Sequence, residues 1–468
     1  MKIDADGRVI AIVKHFEMGQ GTSTSLPTLI AEELGVDLDE VAVEFAPSDA
    51  GRYVNLLFGS QGTGGSTSMA NSYLQYRQAG AAAKEMLLAA AAQEWNADPS
   101  TLVLSKGMIA GAGRNAPIAR FVGAAAAMRV PERPTLKDPG TFTLIGNPQT
   151  SRRDNGPKID GSARFAMDVQ LEDQLVAVVS RSPRFGGTVV SMDASAGAGV
   201  PGFVNAAILP SNAGVVVYAR DTWAAFRARD AVAVEWNFAN AESRSSAEIR
   251  SALLDAVRAP PRFVVREGPG MEGAETRLDH AVQTVEGEFF LPWLCHAPME
   301  PPTCTIEPTA DGITLHDGCQ SPSSAHQALA GVLGLPMKSI RINTLYAGGS
   351  FGRRATMTAD YIVEAAQAFA MTDRTRPVKL VWSREDDLAG GAYRPAVAHR
   401  VRVGLDGNGD IVAWDLRIAG KSIFKGWDLH REVDGVMPPS SDRFRGSQAQ
   451  QPGNLPAQMP QSPRPGCS

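Results

Sequence analysis

Three glycine-rich turns hold the residues best suited to binding a ligand: GQGTSTS at 19–25, GTGGSTS at 62–68 and GGSFGRR at 348–354. Glycine lets the backbone approach a ligand closely, and a helix that begins after such a turn directs unpaired N–H groups and positive dipole toward it. Each turn is therefore a candidate cradle for an anion. Together the three turns predict one large anionic cofactor that is held from several sides.

The first turn carries an amide side chain between its glycines. Gln20 can donate and accept a hydrogen bond at once, which a plain turn would not require, so Gln20 and Gly21 are candidate cofactor-binding residues. GQG by itself nevertheless favours a tight turn without a ligand.

The second turn is rich in hydroxyl groups that could lie beside phosphate oxygens. They belong to Thr63, Ser66, Thr67 and Ser68. Gly65 permits close approach of the backbone. The alternative is that Ser66 or Ser68 caps the following helix, and the two roles are compatible.

The third turn lacks the Lys-Ser/Thr pair of a P-loop and the spacing of the dinucleotide fingerprint, so it predicts neither ATP nor NAD. Phe351 either walls an apolar pocket while neighbouring N–H groups face the cofactor, or it plugs a core. Arg353 and Arg354 either neutralise phosphate or form a solvated pair.

Two further segments carry polar groups that are candidates for binding a ligand or a metal. Gln320 follows a strand and opens a turn, where an amide can point at a ligand. His296 and Glu300 have the i, i+4 spacing of metal ligands on a helix, but Pro298 and Pro301 forbid a regular helix. We therefore expect a shaped loop there.

The elements around the first two turns form a β-turn-α unit that occurs twice. A strand at Val9–Val13 precedes the first turn, and a helix capped by Ser25 and stopped by Gly35 follows it. Residues 41–46 alternate like a strand, and an Ala-rich helix from Ser68 to Trp95 follows the second turn.

The whole chain is predicted to be a multidomain α+β protein. Residues 1–150 hold the first two turns, residues 151–240 form a compact β-rich domain, and residues 241–425 hold the third turn. The tail at 426–468 is rich in Pro, Gln and Ser and predicts disorder. The alternative is a shifted reading frame, because the strand before the tail has no successor.

Composition limits the partners and the compartment. A net charge of −5 over 468 residues argues against a general nucleic-acid partner. The four cysteines form no C-x-x-C pair, so any iron–sulfur centre is expected on another chain. Asp4 and Asp6 are incompatible with a signal peptide, and the sequence predicts a soluble chain, periplasmic or cytoplasmic, whose natural N-terminus could be missing.

Together these segments resemble the molybdenum hydroxylase family, the molybdopterin-binding large subunits related to xanthine dehydrogenase and aldehyde oxidase. Within it the chain is similar to the isoquinoline 1-oxidoreductase beta-subunit group. The shared segments keep the order of that group over residues 1 to about 425: HFEMGQGTSTS, GSQGTGGSTSM, FTLIGNP, HAPMEPPTC, DGCQSP and GGSFGRR.

The resemblance implies a set of cofactor-binding residues. They are Gln20, Gly21, Gly65, Ser66, Ser68, Gln320, Phe351 and Gly352. The first five match positions that hold the pterin pyrophosphate, the next matches a glutamine that bonds an oxygen ligand of molybdenum, and the last two match the turn beside metal and substrate. Molybdenum in the family is held through the pterin, so no protein metal ligand is expected.

The resemblance also implies an architecture and a reaction. Residues 151–240 are similar to the family's α/β hammerhead domain, inserted between molybdopterin-binding regions. The cofactor is expected in its cytosine dinucleotide form, with a small [2Fe-2S] subunit as partner and a cytochrome among the candidate electron acceptors. The substrate is expected to be a small N-heteroaromatic compound, hydroxylated at an electron-poor carbon, or an aldehyde.

Two features depart from the family pattern. The GxGE-type motif with the catalytic glutamate is absent from these 468 residues, so no general base is assigned. Arg353, Arg354 and Ala355 stand where xanthine dehydrogenase-like enzymes have a substrate-contacting glutamate, so a purine substrate is not expected. The alternative is a truncated, inactive fragment that at most binds the cofactor or a partner subunit.

Overall fold

The computed structural model describes residues 1–261 and 273–421, which form two compact units. Unit 1 comprises residues 1–242 and 295–392, and unit 2 comprises residues 243–294 and the chain from 393 onward. The mixture of helices and strands confirms the predicted α+β class. The domain limits near 150 and 240 stay predictions, and the predicted tail at 426–468 lies outside the described residues.

Strands and helices are numbered here in chain order. The strands are β1 (Lys2–Ile3), β2 (Val9–Val13), β3 (Val41–Phe45), β4 (Val103–Ser105), β5 (Met108–Gly111), β6 (Arg114–Pro117), β7 (Leu175–Arg181), β8 (Thr188–Asp193), β9 (Phe203–Ile208), β10 (Gly214–Ala219), β11 (Ala233–Asn237), β12 (Gln283–Leu291), β13 (Thr303–Thr309), β14 (Gly312–Asp317), β15 (Ile340–Thr344), β16 (Val378–Val381), β17 (Val397–Leu405) and β18 (Ile411–Gly420). The helices are α1 (Thr22–Leu34), α2 (Ala50–Tyr53), α3 (Thr67–Trp95), α4 (Val122–Ala126), α5 (Asn155–Asp160), α6 (Ser195–Ala198), α7 (Thr222–Ala231), α8 (Ser246–Arg258), α9 (Ala274–Asp279), α10 (Pro322–Leu333), α11 (Asp360–Ala370) and α12 (Arg384–Gly390).

The repeated β-turn-α unit of the sequence is present at the start of unit 1. Strands β2 and β3 pair in parallel, and the first two glycine turns follow their carboxyl ends. Helices α1 and α3 pack so closely that a Cβ on Gly80 would lie 2.8 Å from the carbonyl oxygen of Ile30. The predicted cap at Ser25 is wrong, because α1 already begins at Thr22, whereas the predicted stop at Gly35 is confirmed.

A seven-stranded sheet forms the centre of unit 1, in the order β15-β14-β13-β16-β7-β10-β9. One face packs against α10 and α11 through buried side chains such as Leu329, Tyr361 and Phe369. The other face packs against α7 through its alanines. The sheet joins strands of the predicted hammerhead region to strands that flank the third turn.

One segment with a strand-like pattern forms no strand. The segment ARFAMDV at 163–169 alternates like a strand, but residues Ala166–Asp168 form a short 3₁₀ helix. The Asp168 carboxylate accepts a hydrogen bond from the N–H group of Phe165 at 3.0 Å, and this local bond closes the turn.

Unit 2 is built on the antiparallel sheet β12-β17-β18, which packs against α8 and α9. Residues two apart share a face of a strand, and here one face is almost entirely apolar. Its exposed members include Val285, Phe289, Trp414 and Ile418.

None of the helices in the described part of the chain combines the length and apolarity needed to cross a bilayer.

Candidate functional site

The first turn is closed by a buried carboxylate that the sequence analysis did not single out. One oxygen of Glu17 accepts hydrogen bonds from the N–H groups of Gly19 at 2.8 Å and Gly21 at 2.9 Å. The other accepts from the N–H group of Ser23 at 2.9 Å and from its hydroxyl at 2.8 Å. Burial alone would raise the pKa of Glu17, but these bonds outweigh it and hold the pKa below its usual value.

Gln20 is exposed and its amide bonds the turn itself. Its Nε2 donates to the carbonyl of Phe16 and its Oε1 accepts from the N–H group of Met18, both at 2.8 Å. The premise that a plain turn has no use for this amide is therefore wrong. An amide has two N–H groups and two acceptor lone pairs, so each end keeps capacity for one further bond.

The second turn is tied to Gln320 by two hydrogen bonds. The N–H group of Thr63 donates to the Gln320 carbonyl at 2.8 Å, and the Gln320 amide donates to the Thr63 carbonyl at 2.9 Å. The Thr63 hydroxyl also accepts from the N–H group of Phe16 at 3.2 Å, which joins the second turn to the first.

The N-terminus of α3 lacks side-chain capping by Ser66. This residue is the N-cap, has a φ of 56° and makes no side-chain cap bond, so the alternative in which its hydroxyl caps the helix is wrong. Among the described residues, neither its hydroxyl nor that of Ser68 has a hydrogen-bond partner. Gly65, also left-handed with a φ of 56°, lies beside them and is exposed.

A buried histidine contacts the second turn and the helix that follows it. His15 contacts the Ser72 hydroxyl at 3.1 Å and the Thr63 hydroxyl at 3.4 Å. Burial, together with the charge of Lys14, lowers the pKa of His15 to about 4. Its imidazole is therefore neutral near pH 7.

The third turn and the residue before it are held by three hydrogen bonds, to Gln320, Glu300 and Glu17. The Ser350 hydroxyl donates to the Gln320 side-chain oxygen. The N–H group of Gly348 donates to the Glu300 carboxylate at 2.9 Å, and that of Ala347 donates to the Glu17 carbonyl at 3.1 Å. The predicted α-helix after this turn begins only at Asp360, and a single 3₁₀ turn, Arg353–Ala355, follows Gly352 instead.

Arg353 and Arg354 are both buried, and both predicted roles for them are wrong. Arg354 pairs with Glu300 at 2.8 Å, and Arg353 pairs with Asp360 at 2.9 Å. A charged group is buried only at high cost unless it is paired, so internal carboxylates hold these guanidinium groups away from both phosphate and solvent.

Asp317 lies beneath the third turn, fully buried. Burial raises the pKa of its carboxyl to about 7, although the charge of Arg354 at 3.6 Å and the Tyr361 hydroxyl at 2.6 Å favour the ionised form. This carboxyl belongs to the internal support of the turn, since neither solvent nor the glycines contact it.

Phe351 is 76% exposed, which excludes the predicted alternative of a core plug. Its φ is 56° and that of Gly352 is 101°, so the turn holds the phenyl ring outward in a left-handed conformation that a bulky residue rarely adopts. This position is compatible with the wall of an apolar pocket.

Residues 295–301 form an irregular segment, as the prolines predict. Glu300 is buried in it and accepts a hydrogen bond from the N–H group of Met167 at 3.0 Å, in addition to its bonds to the third turn. The Nδ1 atom of His296 lies 3.2 Å from the carbonyl oxygen of Ala392. The two side chains therefore have separate partners.

Sequence reasoning missed the acids that hold the turns together. Glu17 stands two residues before GQG, and Glu300 stands between two proline-containing stretches. For Glu17 the available signal was its position two residues before the turn. Spacing cannot show which N–H groups a carboxylate will reach.

Two family profiles, each described as a molybdopterin cofactor-binding domain, match residues 1–173 and 259–422. These segments contain all three glycine turns.

The chain is similar to two longer proteins over most of its own length. It is 31% identical to the isoquinoline 1-oxidoreductase subunit beta of Brevundimonas diminuta, over 86% of this chain and 56% of the relative. It is 27% identical to the membrane-bound aldehyde dehydrogenase [pyrroloquinoline-quinone] of Gluconacetobacter polyoxogenes, over 94% of this chain and 56% of the relative. The chain thus spans little more than half the length of either relative.

Among solved structures, quinoline 2-oxidoreductase from Pseudomonas putida 86 aligns with a TM-score of 0.45 and 18% identity. The alignment covers 57% of this chain and 38% of that one.

Proposed function

We propose that this chain, which belongs to the molybdenum hydroxylase family, is the molybdopterin-binding subunit of an oxidoreductase. The proposed reaction is hydroxylation of an N-heteroaromatic compound or oxidation of an aldehyde. The proposed cofactor is the cytosine dinucleotide form of molybdopterin with molybdenum, and electrons pass to a [2Fe-2S] centre on a separate subunit. The names of the two relatives support both substrate classes.

The observation that carries the proposal is the convergence of the three turns. Gln320 bonds Thr63 of the second turn and Ser350 of the third, while the backbone of Glu17 bonds the residue before the third. Segments far apart in sequence thus present N–H, amide and hydroxyl groups within one unit. Such donors suit an anionic, oxygen-rich group better than a directly ligated metal.

The second turn fits a pyrophosphate. Ser66 and Ser68 present unpartnered hydroxyls at the start of α3, a helix of 29 residues whose first N–H groups carry positive dipole. Gly65 beside them has no side chain to obstruct the approach of phosphate oxygens. In this proposal these three residues hold the pyrophosphate, and the exposed amide of Gln20 adds contacts from the first turn. Gly21 there has its N–H group bonded to Glu17 and contributes only the space that its missing side chain leaves for the cofactor.

The remaining residues orient the reacting end. Bound molybdenum would supply the two-electron oxidation. Gln320 is fixed by two partners and presents its second amide N–H group for an oxygen ligand, while Phe351 and Gly352 form a wall for a planar substrate. The chain's own contribution is binding, orientation and shielding from water.

The test is cofactor content. The full chain would be purified with its partner subunit from cells that make molybdopterin, and molybdenum and cytidine nucleotide would be measured per chain. Replacing both Ser66 and Ser68 with alanine should weaken cofactor binding about tenfold, since hydrogen bonds to phosphate are lost. Ser251→Ala, an exposed serine of unit 2, is the matched control.

The outcomes separate the alternatives. Wild-type chain without molybdenum or cytidine nucleotide would favour the inactive fragment. Full cofactor content in the double variant would reject the assignment of the second turn. Oxidation of isoquinoline or of benzaldehyde with a dye as electron acceptor would then distinguish the two substrate classes.

A further inference from the structure

The ring of His296 has a defined orientation beside the third turn. Its Nδ1 atom faces the carbonyl oxygen of Ala392 at 3.2 Å, and a carbonyl can only accept a hydrogen bond. We therefore assign the proton to Nδ1. The Nε2 atom of the neutral ring then carries a free lone pair and is an acceptor.

That acceptor points at the turn. A Cβ placed on Gly352 would lie 3.6 Å from Nε2, so the ring packs directly against this glycine. Within residues 1–261 and 273–421, Nε2 has no hydrogen-bond partner. The next residue toward the N-terminus is the exposed Phe351, so an acceptor and an aromatic face are presented by adjoining segments.

Burial keeps the ring neutral. Burial lowers the pKa of His296, and the Arg353 guanidinium lowers it further, whereas Asp387 and Asp360 act in the opposite direction. Near pH 7 the acceptor is therefore available.

Backbone strain marks both segments. Ala297 has a φ of 42° and Phe351 a φ of 56°, although neither is glycine. Such conformations cost free energy and concentrate at ligand-binding sites, where the surrounding structure maintains them.

We propose that Nε2 of His296 accepts a hydrogen bond from the ring N–H of a planar heteroaromatic ligand that lies against Phe351. His296 thereby strengthens the binding of ligands whose ring carries an N–H, and not of aldehydes or of heteroaromatic substrates whose ring nitrogen has only a lone pair. Hydroxylation beside such a ring nitrogen yields a lactam that carries this N–H, so the ligand is the product of the reaction. The inference rests on the proposed function, because it places that product at the third turn.

The test compares two ligands that differ by one donor. Binding of isoquinolone, a bicyclic lactam with one ring N–H, and of N-methylisoquinolone would be measured by calorimetry on the full chain as purified with its partner subunit. Wild type should bind isoquinolone about tenfold more tightly, the usual worth of one hydrogen bond. His296→Phe should abolish the difference, and His296→Gln, which keeps an acceptor oxygen, should retain part of it.

The exposed His280 supplies the control, and His280→Ala should leave the preference unchanged. Equal binding of the two ligands by wild type, no binding of either, or a preference that persists in His296→Phe would overturn the inference. Molybdenum content of the same samples separates it from the proposed function. A preference without molybdenum rejects only the cofactor assignment, and molybdenum without a preference rejects only the role of His296.

Discussion

The first and second glycine turns have similar sequences but different helix N-termini. In the first, the Glu17 carboxylate accepts hydrogen bonds from the N–H groups of Gly19, Gly21 and Ser23. In the second, the residue before the turn is Gln61, whose amide bonds the backbone of Pro47 and Asp49 instead.

The difference teaches that a glycine turn before a helix is an anion site only if no internal carboxylate occupies it. The first turn carries its own anion and is a rigid support. In the second turn the hydroxyls of Ser66 and Ser68 have no hydrogen-bond partner in the part of the chain that the structure describes, so they are available to a ligand. The predictions below test this contrast.

The largest expected effect follows removal of the internal anion. Glu17→Ala should lower the free energy of unfolding by about 3–5 kcal/mol, because the buried carboxylate is lost and three N–H groups and the Ser23 hydroxyl lose their acceptor. Amide hydrogen exchange at residues 19–25 should accelerate, while exchange at residues 62–68 changes less. Glu44→Ala, an exposed acid paired with Lys2, is the control and should cost little. If amide hydrogen exchange at residues 19–25 is the same in Glu17→Ala as in wild type, the proposed difference between the two turns is rejected.

Acid should weaken the second turn before the first. The folded-state pKa of His15 is lowered from 6.5 to about 4, so the unfolded chain binds the proton more readily. The stability linked to His15 is complete above pH 6.5 and is lost as the pH falls toward 4, by about 3 kcal/mol in total. Glu17, whose pKa is also lowered but from 4.5, keeps its charge until a lower pH.

Hydrogen exchange between pH 6.5 and 4 measures this order, after correction for the intrinsic pH dependence of exchange. Residues 62–68 should lose protection first in wild type. In His15→Gln the two turns should respond together, and His280→Gln should behave as wild type. Earlier loss at residues 19–25 in wild type would contradict the prediction.

The smallest effect on stability concerns the exposed amide of the first turn. Gln20→Ala removes two hydrogen bonds within the turn and should cost about 1 kcal/mol of unfolding free energy. If Gln20 also contacts the cofactor, retention of molybdenum should fall as well. Gln78→Ala, at an exposed position of α3, is the matched control. Unchanged molybdenum content in Gln20→Ala would confine the residue to a structural role.

Local patterns predicted the regular elements well. Val9–Val13 is a strand, and the Ala-rich helix spans Thr67–Trp95. These elements depend on side-chain periodicity and on caps a few residues away, which a single sequence contains.

The errors arose where distant residues decide the outcome. Ser25 was an adequate cap by its local pattern, but the N-cap is Gly21, four residues earlier, and the N–H group of Ser23 in the first turn of α1 donates to the Glu17 carboxylate. Arg353 and Arg354 had the pattern of a basic pair, and their acids come from other segments. Charge and spacing alone do not reveal burial.

By itself the sequence determined the three glycine turns, the elements that flank them and the family resemblance, because these depend on residue types and short spacings. Only the tertiary structure decided which donors are free. Glu17, Glu300 and Gln320 lie far apart in the chain or outside the turns they bond, and their reach depends on how the backbone folds. A hydrogen bond requires a distance near 3 Å, and for groups separated by hundreds of residues that distance is set by packing.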